Sequence, residues 1–143
     1  MKPIVIFTSF WHAEKIMIDK KFSNDILVFS IANSQPELKI LPSLEKISFL
    51  CPSFSIVQKY KTDNDWESYT AEFKKSIRFK KDKIIKWIDS LDENKTYVLC
   101  CWENTSNGAN CHRKILYDCL VGSRSMKDKC IWEYRHGWEY RHG

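Results

Sequence analysis

Five side chains able to attack, carry a proton or hold an anion fall within one short stretch: Cys101, Glu103, Cys111, His112 and Arg113. A thiolate is a nucleophile, and carboxylate and imidazole move protons near neutral pH. A guanidinium grips oxyanions through two parallel N–H donors. The stretch parses as a strand from Tyr97 to Trp102, a polar loop from Glu103 to Asn110, and an apolar-periodic helix from His112 to Val121. The first turn of such a helix has backbone N–H groups without intrahelical partners and carries partial positive charge. Anions bind there, and a thiol placed there with Arg113 and a protonated His112 is biased towards thiolate, which makes Cys111 an expected thiolate. Strand alternation puts Cys101 and Glu103 on one face, towards the helix start, with Cys100 and Trp102 on the other. Cys100, and Cys119 in mid-helix beside Leu120, read as small core hydrophobes. The expected catalytic set is therefore Cys101, Glu103, Cys111 and His112, with Arg113 as the anion clamp.

The elements that must position this set are legible as apolar runs. Pro3 to Phe10 is a continuous β-branched and aromatic run, and Ile26 to Ile31 is a second. Runs of this kind suit strands covered on both faces. Ligands of open α/β sheets bind at the carboxyl ends of strands, which nominates Thr8, Ser9 and Asn33 as ligand-binding residues. For Thr8 and Ser9 the competing role is a turn or a helix cap. A short connection is expected between these two strands, then a poorly patterned crossover from Leu38 to Ile56. Asp63 or Asn64 can cap a helix starting near Asp65, in which Trp66, Tyr69, Phe73 and Ile77 form an apolar stripe. The basic stretch Lys74, Lys75, Arg78, Lys80, Lys81 and Lys83 reads as a solvated face ahead of a phosphate track. A second helix carries Ile84, Ile85, Ile88 and Leu91. Gly122 reads as a C-cap glycine, and Cys130 to Tyr134 as a last short strand. The order implies an α/β fold with a mostly parallel sheet flanked by helices.

At 143 residues the chain is expected to form one domain over residues 1–137. Residues 138–143 duplicate the preceding Trp-Glu-Tyr-Arg-His-Gly and are expected to be flexible. The net charge of +5 permits a phosphate-bearing partner without being that of a dedicated nucleic-acid arm. No apolar run reaches the length of a membrane span, and no signal-peptide pattern opens the chain. A cytoplasmic protein with six free thiols is the expectation, with no membrane partner. No cofactor is expected. A metal is not favoured either, because Cys-x-x-Cys is missing and adjacent Cys and His side chains rarely converge on one ion. A phosphatase loop is not favoured: neither Cys101 nor Cys111 has an Arg six positions later.

The central residues resemble a known family. Val98-Leu99-Cys100-Cys101-Trp102-Glu103, followed by Cys111-His112-Arg113 and an Ile-Leu helix, is similar to the Leu-Leu-Cys-x-Glu … Cys-His-Arg signature of domain of unknown function 488. Phe7-Thr8-Ser9, Leu41-Pro42, Cys51-Pro52-Ser53 and the Trp66 to Phe73 helix resemble the family in the same order. The resemblance implies an α/β fold and a shared site at Cys101, Glu103, Cys111, His112 and Arg113. Members often carry Asp-x-Arg after the second strand, where this chain has Phe29 to Asn33 without Asp or Arg. An anionic ligand would then rely on Asn33 or Arg113.

Three functions compete on this basis. The first is binding of, or action on, a nucleotide, nucleic acid or other anionic ligand. Cys101 or Cys111 would be the nucleophile, His112 or Glu103 the proton carrier and Arg113 the phosphate clamp. The second is a non-catalytic module that sequesters a small ligand or a protein partner. The third is a structural zinc domain using Cys101, Glu103, Cys111 and His112.

Overall fold

The structure is a computed structural model that describes residues 1–102 and 112–135. The elements are β1 (Ile4–Ser9), α1 (Phe10–Asp19), β2 (Ile26–Ser30), a 3-10 turn (Ser48–Leu50), α2 (Phe54–Asp63), α3 (Trp66–Phe79), α4 (Lys81–Asp89), β3 (Thr96–Cys101), α5 (His112–Val121) and β4 (Ile131–Tyr134). The fold is α/β. All strand pairs are parallel, in the order β2-β3-β1-β4. Val5, Phe7, Val98 and Leu99 are fully buried in the inner strands, as expected for strands with both faces covered.

β1 runs into α1 without a loop. Ser9 ends the strand in an extended conformation, and its Oγ accepts from the His12 backbone N–H at 3.2 Å, capping the helix. The expected short connection is thus a ten-residue helix. Phe10, Ala13, Ile16 and Met17 supply its buried stripe, at spacings of three and four that the preceding apolar run hides. Lys21 and Phe22, both with φ near +55°, turn the chain back, and the Phe22 N–H bonds to the Met17 carbonyl at 2.8 Å.

The crossover after β2 is more structured than its pattern suggests. Ser30 forms a parallel bridge to Lys46, and Ser53 caps α2 through the Ile56 N–H. α2 escapes sequence reading because it buries no residue fully. α3 starts where expected, with Tyr69, Phe73 and Ile77 of the stripe buried, but its cap is Asp65, which accepts from the Ser68 N–H at 3.0 Å; Asp63 ends α2 and Asn64 is the C-cap of α2. Gly122 closes α5 by donating to the Asp118 carbonyl, without adopting a left-handed φ. A Cβ there would meet that carbonyl at 3.0 Å.

α1 packs against β1, β2 and β3, whereas α5 packs against β1, β4 and α3. The helices lie on opposite faces. Ile4 and Ile6 share a groove with α1 residues His12 and Ile16, while Phe7 meets Tyr117 of α5 edge-on at 5.7 Å. From β1 the chain leaves towards β2, and from the adjacent β3 it leaves towards β4, in opposite directions across the sheet. The crevice between the carboxyl ends of β1 and β3 is therefore the topological switch point of the sheet. Among the described residues no helix is long and apolar enough to cross a membrane. The repeated tail, residues 138–143, lies outside the described residues.

Candidate functional site at the carboxyl ends of β1 and β3

Parallel pairing sets Thr8 beside Cys100 and Ser9 beside Cys101. Neighbours in register share a face, so the two pairs point to opposite sides of the sheet. Thr8 and Cys100 are fully buried on the α1 side. The Cys100 Sγ donates to the Phe29 carbonyl at 3.4 Å, and burial pushes its thiol far above the ordinary range, with Arg113 partly opposing. The Thr8 Oγ1 is buried with no hydrogen-bond partner among the described residues.

Ser9 and Cys101 sit on the α5 side. Arg113, in the first turn of α5, reaches Cys101 and is itself only 3% exposed. Its Nη1 donates to the Cys101 Sγ at 3.3 Å and to the Trp102 carbonyl at 3.0 Å. Its guanidinium also lies 5.6 Å from the ring centroid of Tyr134 on β4, within cation–π range. A buried cation is expensive to desolvate unless its donors are satisfied and its charge is met. Thiol, carbonyl and ring each supply part of that here.

His112 faces away from Arg113 despite being its neighbour. Its Nε2 lies 2.6 Å from the Ile31 carbonyl at the end of β2, and its ring meets Phe73 of α3 edge-on at 5.7 Å. A carbonyl oxygen only accepts, so Nε2 carries a proton and any proton traffic through this ring runs over Nδ1. The helix start thus splays its first two side chains, Arg113 towards β3 and β4, His112 towards β2 and α3.

Ser9 is spent in part on capping α1. Asn33 lies beyond the end of β2, where its Nδ2 donates to the Pro52 carbonyl at 2.8 Å and ties that end to the crossover. Sequence reasoning missed the aromatic rim. Trp102 is 41% exposed, meets Phe10 and Trp11 edge-on near 6 Å, and donates its indole N–H to Ser34. Tyr134 was legible only as the end of a short strand.

Glu103 and Cys111 lie outside the described residues. Among the described residues, no three His, Cys, Asp or Glu side chains are grouped to hold a metal ion. Cys51, Cys100, Cys101, Cys119 and Cys130 are all free thiols.

Fold and site together define an α/β protein with buried polar side chains at its sheet switch point, flanked by the amino ends of two ten-residue helices, α1 and α5. The chain belongs to the family of domain of unknown function 488. The family model DUF488-N3a, described as the active DUF488-N3 subclade, matches residues 44–124, more than half of the chain. That span contains β3, Cys101, His112 and Arg113, but not β1, β2 or β4. No curated protein and no solved structure matches the chain.

Proposed function

We propose that the crevice between β1 and β3 binds the phosphate of a nucleotide or nucleic acid, and that Cys101 reacts with the ligand held there. The observation that carries the reading is the 3.3 Å contact between the Arg113 guanidinium and the Cys101 thiol. A guanidinium against a thiol favours the thiolate, the reactive form. The helix starts at Ser9 and His112 add positive potential at the same edge, the usual environment of a bound phosphate. Arg113 clamps the anion and Ser9 and Asn33 border it, while Thr8 lies buried on the other face of the sheet. Glu103 and Cys111 complete the set as proton carrier and second thiol, and His112 relays a proton through Nδ1. The description of the matched subclade as active agrees with retained chemistry.

A second reading is a non-catalytic binding module. It is favoured by the 1% exposure of Cys101 and by its role as a hydrogen-bond acceptor for Arg113, both normal for a structural thiol.

Thermal-shift titration with mononucleotides and short oligonucleotides tests both. A stabilisation that is lost in Arg113→Gln supports the site, and no stabilisation by any of them removes it. Loss of turnover or of a covalent adduct in Cys101→Ser, with binding kept, favours the enzyme. Binding that survives Cys101→Ser and Cys111→Ser, with no product in the wild type, favours the module.

A further inference from the structure

A second cleft lies away from the switch point, between α3, the start of α4 and the carboxyl end of α5. Lys74, Ile77, Arg78, Lys81, Cys119 and Met126 line it, and its volume is about 230 Å³. On α5, Cys119 follows His112 by about two turns, roughly 10 Å along the axis. The floor is apolar: Ile77 and Met126 are 5% and 3% exposed, and the Cys119 thiol is half-buried beside them.

The rim is cationic. Lys74 and Arg78 stand one turn apart on α3, and Lys81 opens α4. Like charges at that spacing repel on a helix surface. None of the three forms an ion pair among the described residues, and the nearby Asp118 is taken by Lys114 at 3.1 Å. Lys74 and Arg78 are close enough to act electrostatically on the Cys119 thiol, although burial outweighs them and pushes that thiol up. Three cations that form no ion pair among the described residues, set around an apolar floor, are complementary to a molecule with one apolar and one anionic end. A cavity of about 150 Å³ takes a benzene ring. The cleft therefore has room for a ring and one oxyanion group.

We propose that this cleft binds a small amphipathic anion, an aryl or short-chain phosphate or carboxylate, with its apolar body on Ile77, Cys119 and Met126 and its head group on Lys74, Arg78 and Lys81.

Cys119 is a built-in reporter, since the other described thiols are buried. The full chain would be alkylated with N-ethylmaleimide and the Cys119 peptide followed by mass spectrometry. Phenyl phosphate or benzoate at about 10 mM, enough for a millimolar site, should slow Cys119 labelling, and the stronger of the two identifies the head group. Benzyl alcohol and inorganic phosphate at the same concentration should not. Lys74→Gln with Arg78→Gln, both exposed positions, should weaken protection about tenfold or more while leaving the melting temperature unchanged. Methyl chemical shifts of Ile77 and Met126 give a second readout independent of thiol reactivity. Protection that survives the double variant overturns the proposal. So does equal protection by benzyl alcohol, by inorganic phosphate or by a short oligothymidylate, or no response in either readout.

Discussion

Arg113 places its Nη1 3.3 Å from the Cys101 Sγ and 3.0 Å from the Trp102 carbonyl, so one buried guanidinium ties the start of α5 to the end of β3. The thiol is held by a cation that also lies over the Tyr134 ring on β4.

Arg113→Gln should therefore do two things at once. It should slow alkylation of Cys101, because less of the thiol is ionised at a given pH. It should also destabilise the fold by about 1.5–3 kcal/mol, the usual worth of hydrogen bonds to a charged group. Peptide-resolved alkylation rates and urea unfolding read the two effects. Arg113→Lys should restore only part of the stability, since an ammonium cannot reproduce the planar fork. Unchanged Cys101 labelling in Arg113→Gln would remove the coupling.

Asn33 offers a separable case. Its amide is engaged with the Pro52 carbonyl, so Asn33→Ala should lose about 1 kcal/mol, seen as a lower urea midpoint. If Asn33 also borders the bound anion, nucleotide affinity should fall as well. A stability loss with full affinity would confine Asn33 to anchoring the crossover.

The turn after α1 holds two side-chain residues in left-handed conformation. Lys21 is exposed with φ 54°. Relief of left-handed strain, about 1–2 kcal/mol, opposes the added freedom of glycine in the unfolded chain, about 0.4–1 kcal/mol. Lys21→Gly should therefore stabilise the protein, by up to about 1.6 kcal/mol net. A lower melting temperature would contradict the turn geometry.

Alkaline pH should destabilise the fold through its buried thiols. Burial pushes Cys51 and Cys130 from the ordinary 9.0 up to about 11, with neighbouring lysines partly opposing. Below pH 9 both states hold these protons and the thiols contribute no pH dependence. Between pH 9 and about 11 the unfolded chain releases them while the folded chain keeps them, so stability falls with rising pH. The double variant Cys51→Ala and Cys130→Ala should lose less stability over that window than the wild type. Equal slopes in guanidinium unfolding at pH 8.5, 9.5 and 10.5 would exclude the effect.

Sequence patterns carried the sheet well because its strands are continuous apolar runs, and they carried α3 because Trp66, Tyr69, Phe73 and Ile77 repeat at helical spacing. α1 was hidden because Phe10 and Trp11 extend the strand run, so the helical spacing begins inside an apolar block. α2 offered too little buried surface to leave a stripe. At the site, strand alternation was enough to send Cys101 and Cys100 to opposite faces. The divergence of His112 and Arg113 could not be read, because it depends on Ile31 and Tyr134, one on each side of the sheet. The same holds for Asn33, whose partner Pro52 is fixed only by the crossover.

The sheet order has a consequence for how the chain is made. β1 lies inside the sheet, yet its neighbours come much later: Ile4 pairs with Thr96 on one side and Ile131 on the other. During synthesis its Ile-Val-Ile-Phe run emerges long before either partner exists, and contacts so distant in sequence also form slowly. Until then that run is an unpaired, sticky ribbon. A chaperone that holds extended apolar segments should engage the nascent chain there and let go only once β3 and β4 have emerged.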